Sequence, residues 1–98
     1  VMLDRPGAVA VPPFVNAHTH LDLTTIGPRP GAGDDFPAWL EMVRRERPAT
    51  DAEIDAAVGR GVELGRAGGV VAVGDIGGAS RGVPSLAAWR AAQAPGVL

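Results

Sequence analysis

Phe14-Val15-Asn16-Ala17-His18-Thr19-His20-Leu21-Asp22 is the stretch on which the fold turns. Its first five residues, Phe14 to His18, are apolar enough to read as a short strand buried on both faces. A counterpart lies at Val70-Val71-Ala72-Val73, β-branched and apolar, immediately after the pair Gly68-Gly69. What separates the two runs is helical. Asp34 or Asp35 can cap a first helix, Pro37 suits its first turn, and Phe36, Trp39, Leu40 and Val43 recur at helical spacing. Arg44, Arg45 and Arg47 fall where positive charge suits the helix dipole, and Pro48 ends the run. Thr50 and Glu53 then form a capping box that opens a second helix. Its face of Ile54, Ala57, Val58, Gly61, Val62 and Gly65 is small enough to lie close on a sheet, and Gly68-Gly69 stops it. Two buried strands joined through helices make a parallel βαβ unit, with the right-handed crossover that such units almost always take.

Outside this unit the chain is less regular. Residues 1–12 carry Pro6, Gly7 and Pro12 around short Val/Ala stretches and read as an extended lead-in. Residues 27–35, with three glycines and two prolines, are a loop; residues 77–83 are a glycine-containing loop; and Pro84 to Gln93 read as a third helix bearing Leu86, Trp89 and Arg90. Two parallel strands can neither close a barrel nor cover their own edges. The expectation is an α/β excerpt of a larger fold, poorly soluble by itself.

Composition removes several function classes. The 98 residues are 46% hydrophobic and 20% charged, a globular balance rather than a disordered one. A net charge of −2 and a pI near 5.5 lack the basic surplus of a nucleic-acid binder. No cysteine is present, which excludes disulfide scaffolds and Cys-ligated zinc modules. No run approaches the ~18 consecutive apolar residues of a membrane span. All nine basic residues are arginine, which reads as a coding bias. The chain opens at Val1 without a standard initiator and no secretory signal is visible, so a cytoplasmic location is the expectation.

The chemistry rests on His18 and His20. Residues two apart on a strand share a face, so both imidazoles project side by side. Two neutral imidazoles fixed in parallel chelate a borderline divalent ion such as zinc or iron. The plainer reading is a polar patch, and His-x-His alone is a weak motif. Asp22 lies farther along the same side, where it could in principle add a carboxylate; capping the following loop is the simpler reading. Asp75 stands just past the second strand, where hydrogen bonds to the amides of the Gly77-Gly78 loop are the simplest reading. Asn16 is expected to make a structural hydrogen bond. Gly74 to Gly78 fits neither phosphate-loop pattern, and the chain has no lysine. Arg44-Arg45-Glu46-Arg47 reads as a solvated helix face, and Trp39 and Trp89 as packing residues. Ser80 and Ser85 lie on unrelated loops, so no Ser-His-Asp arrangement is arguable.

The run Pro12-Pro13-Phe14-Val15-Asn16-Ala17-His18-Thr19-His20-Leu21-Asp22-Leu23 closely resembles the first-strand signature of the amidohydrolase superfamily, with Pro13 where glycine is usual. The likeness is strongest to the branch of metal-dependent cyclic deaminases and chlorohydrolases. The Phe36-x-x-Trp39-Leu40 helix and Gly68-Gly69-Val70-Val71-Ala72-Val73-Gly74-Asp75 are also similar to that branch, so the resemblance runs from about Val9 to Ile76. It implies the first βα units of a TIM-like (β/α)₈ barrel, here incomplete, with residues 13–98 as its N-terminal part. It also implies one divalent metal ion, zinc or iron, held by His18 and His20, and a place facing the substrate for Asp22. The remaining ligands and the catalytic glutamate of the family come from later strands, outside these 98 residues. The implied activity is hydrolytic deamination of a purine-like or pyrimidine-like ring by metal-activated hydroxide, on a small-molecule substrate and without nucleic acid or membrane. Release of chloride or of an amide nitrogen is the alternative chemistry, and a non-catalytic truncated fragment the alternative description of the chain.

Overall fold

The computed structural model describes residues 4–29, 35–77 and Arg90. Its elements run in the order β1 (Phe14–Thr19), a 3-10 helix (Leu21–Ile26), α1 (Phe36–Glu46), α2 (Asp51–Ala67) and β2 (Val70–Asp75). The expected third helix, with Trp89, and the expected loop serines lie outside the described residues; Arg90 alone of that stretch is described, and it is helical.

Local chemistry sets each boundary. Asp35 caps α1 by accepting the Ala38 N–H at 2.9 Å, with Pro37 in the first turn. At the far end the Arg47 N–H returns to the Val43 carbonyl before Pro48 stops the run. The Thr50 hydroxyl accepts from the Glu53 amide, while the Glu53 carboxylate accepts the N–H groups of Ala49 and Thr50. Those hydrogen bonds hold the Glu53 carboxyl below the usual glutamate range. Gly69 closes α2 at φ 81°, a left-handed backbone that favours glycine, and its carbonyl accepts the Phe14 N–H at the start of the sheet.

β1 and β2 pair in parallel, with Phe14 opposite Val70, Val15 opposite Ala72, Asn16 opposite Val73 and Thr19 opposite Asp75. The register is irregular between Asn16 and Thr19. Gly74 sits at that irregularity, and a Cβ there would stand 2.6 Å from the Ala17 carbonyl oxygen. Only glycine lets the strands approach so closely.

Three expectations are corrected. β1 is exposed along almost its whole length, not buried on both faces, with Phe14 58% and Val15 67% accessible. Its apolar residues have β2 beside them and no further layer among the described residues. Second, Asp75 is the last residue of β2 rather than a residue beyond it, because pairing continues to Thr19. Third, α2 packs most heavily on the 3-10 helix and only lightly on β2. Leu21 and Val58 form the centre of that contact, with Val62 and Val73 against them. Ile26, Val43, Ile54 and Ala57 are the other buried apolar residues among those described. Gly61 permits the approach: a Cβ there would meet Thr24 Oγ1 and Leu21 Cδ2 at 2.6 and 2.7 Å. Among the described residues no helix is long and apolar enough to cross a membrane.

Candidate metal centre

His18 stands near the end of β1, and His20 is the residue at which the chain leaves the strand for the 3-10 helix. Strand alternation alone does not align their rings, since His20 lies past the last strand residue. The alignment comes from β2. Thr19 is fixed when its carbonyl accepts the Ile76 N–H at 2.8 Å. His20 Nδ1 lies 2.9 Å from the Ile76 carbonyl oxygen. A carbonyl can only accept, so Nδ1 carries the proton and donates it. In the neutral ring Nε2 is then bare, with its lone pair free to bind.

That lone pair meets the other histidine. The two Nε2 atoms are 3.3 Å apart, and the rings stand at 65° with centroids 5.2 Å apart. Zinc–imidazole bonds are about 2.0–2.1 Å, so a single ion bonded to both nitrogens would see them about 107° apart, near the tetrahedral angle. The two rings are therefore of the right type and separation for a borderline divalent ion, and His20 is of the right tautomer. Both residues are exposed, which leaves the remaining coordination positions open to solvent or to further groups. Among the described residues no set of three or more His, Cys, Asp or Glu side chains surrounds a common point. As a metal site the pair is a chelate of two.

The neighbouring polar residues hold the backbone. Asn16 Oδ1 accepts the His18 N–H at 3.2 Å, the structural hydrogen bond expected of it. Asp75 Oδ1 accepts the Leu21 N–H at 2.8 Å. The expected partner, the Gly77-Gly78 loop, is thus replaced by the start of the 3-10 helix, because Asp75 ends its strand opposite Thr19. The second oxygen, Oδ2, is buried and has no hydrogen-bond partner.

Asp22 does not continue along the strand. It is buried in the 3-10 helix, 4% accessible, and its Oδ2 accepts from Arg47 Nη2 at 3.1 Å. Its Oδ1 is buried without a partner. Arg47 therefore leaves the solvated face assigned to it: its side chain is 13% exposed, whereas Arg44 and Arg45 remain outside. Sequence reading missed this pair, since 25 residues separate its members and no local pattern joins them. Glu46, held by Arg29 and Arg45, has its carboxyl below the usual range. Trp39 is half-buried, stacks on Phe36, and lines a hollow of about 190 Å³ with Leu23, Ile26, Met42 and Val43, in keeping with a packing role.

Comparison of the chain with protein-family models, with curated proteins and with solved structures finds no match.

Proposed function

We propose that this chain is the opening part of a metal-dependent hydrolase of the amidohydrolase type, with His18 and His20 as its first two metal ligands. The observation that carries the reading is the meeting of their Nε2 atoms at 3.3 Å with the His20 tautomer fixed by Ile76. In the same reading β1 and β2 are the first two strands of a TIM-like barrel, which the parallel pairing and the helical connection support. The further ligands and the acid–base group belong to later strands of that barrel.

His18 and His20 would hold a zinc or iron ion, which would supply Lewis acidity for a hydrolytic reaction. The chain's own residues prepare the site. Ile76 keeps the proton of His20 on Nδ1, away from the binding nitrogen, and Asn16 fixes the backbone under His18. Asp22 and Arg47 brace the 3-10 helix that carries the chain away from His20. The substrate is a small molecule with an electrophilic sp² carbon bearing an amino group, a purine-like or pyrimidine-like ring. This choice of leaving group rests on the resemblance of residues 12–23 and 68–75 to the cyclic deaminases.

One observation favours a second reading of the 98 residues taken alone. Two histidines with no third ligand among the described residues make a weaker site than the three protein ligands of a catalytic zinc. On this reading the isolated chain binds metal weakly and does not turn over.

Both readings meet the same experiment. The purified parent protein is expected to hold one divalent ion per chain, and a His18→Ala/His20→Ala variant to lose it. Metal content unchanged in that variant defeats the ligand assignment. Ammonia release from aminated heterocycles, against chloride release from chlorinated ones, separates the two chemistries. Activity confined to forms longer than these 98 residues supports the second reading of the isolated chain.

A further inference from the structure

The end of β2 grips the three residues 19–21 at three points. Ile76 donates its N–H to the Thr19 carbonyl at 2.8 Å, and the Ile76 carbonyl accepts from His20 Nδ1 at 2.9 Å. Asp75 Oδ1 accepts the Leu21 N–H at 2.8 Å. The first two are backbone groups that any residue at position 76 supplies, apart from proline's missing N–H. The third is a side chain, and it holds the peptide on the far side of His20. Without it the backbone after His20 is free to rotate about a residue whose φ and ψ, −129° and 79°, belong to neither strand nor helix. The ring would then lose the direction in which Nδ1 meets the Ile76 carbonyl.

We infer that Asp75 is a positioning residue for the histidine pair: by anchoring the Leu21 amide it keeps His20 in the Nδ1–H tautomer, with Nε2 aimed at the point it shares with His18. This rests on the proposed metal-binding role of the pair, but its physical content, the ring's tautomer and direction, can be read without metal. The effect of Asp75 passes through Leu21 and His20. The burial of its second oxygen fits this role, since the carboxylate is enclosed at the junction of the two strands and held there by one directed bond. Gly74 contributes beside it, because the close approach to the Ala17 carbonyl brings the end of β2 within reach of His20.

The test uses the whole chain, with its imidazole nitrogens followed by long-range ¹H–¹⁵N correlation in alkaline, metal-free buffer. His20 is expected to show a protonated Nδ1 and a bare Nε2. Asp75→Asn keeps an acceptor for Leu21 and should retain that pattern. Asp75→Ala removes it and should give a mixture of tautomers. Zinc is then titrated into the same samples. Affinity should fall about 10- to 100-fold in Asp75→Ala, as is usual when a group supporting a ligand is lost, and recover to within about threefold of wild type in Asp75→Asn. If Asp75→Ala does not fold, Asp75→Ser, whose hydroxyl does not reach as far, replaces it. A wild-type His20 protonated on Nε2 overturns the inference by itself, as does an Asp75→Ala protein with the wild-type tautomer. Failure of wild type to bind zinc, with the tautomer shifting as expected, instead defeats the metal reading and leaves the positioning role standing.

Discussion

At the scale of single residues, the same side-chain type does different work according to what surrounds it. Asp22 and Asp75 are both aspartates at the edge of the histidine pair, yet one is bound to a guanidinium and the other to a backbone amide. The Asp22–Arg47 pair is largely removed from water, so removing one partner leaves a buried charge uncompensated. Arg47→Met is expected to lower stability by about 3 kcal/mol, measured by urea unfolding, whereas replacing Asp22 and Arg47 together with apolar residues costs less. A single-variant loss below about 0.5 kcal/mol would place the pair with ordinary exposed ion pairs. Residue identity could be read in the chain; partner identity could not, because a separation of 25 positions leaves the pairing to the packing of α1 against the 3-10 helix.

Among the elements, α2 shows how a contact selects its glycines. Gly59 and Gly61 lie two apart in the same helix, and helix propensity alone would replace both by alanine. A Cβ at Gly59 meets nothing within 4 Å, so Gly59→Ala should stabilise by about 1 kcal/mol. At Gly61 the same methyl would collide with Thr24 and Leu21, the latter only 5% exposed. Gly61→Ala is therefore expected to destabilise by about 1–2 kcal/mol despite the propensity gain. Thermal denaturation of the two variants should move in opposite directions. Both helices and their caps were legible, since capping box, proline and terminal arginines are local signals. The 3-10 helix was not. It depends on Asp75 capping Leu21, on the Thr24 hydroxyl returning to the Leu21 carbonyl at 2.7 Å, and on α2 covering Leu21 and Ile26.

At the scale of the whole molecule, β1 is the exposed strand of the sheet among the described residues, whereas β2 is largely half-buried. Val9, Val11, Phe14 and Val15 are 58–84% accessible on or just before β1, which has a backbone partner only in β2 among the described residues. Uncovered strand edges with apolar side chains invite association. The chain should show concentration-dependent light scattering, and Val15→Lys, a charge placed on that strand, should reduce it. Scattering that stays independent of concentration in the wild type would show that this surface is covered in solution.

The sequence by itself determined α1, α2, the two strands and their parallel relation, because periodicity, caps and β-branched runs act over a few residues. Only the tertiary structure decided the direction of the imidazoles, the tautomer of His20, the partners of Asp22 and Asp75, and the surface on which α2 rests. Those depend on groups 25 to 56 residues apart being brought within hydrogen-bond reach, and nothing short of the folded chain supplies that distance.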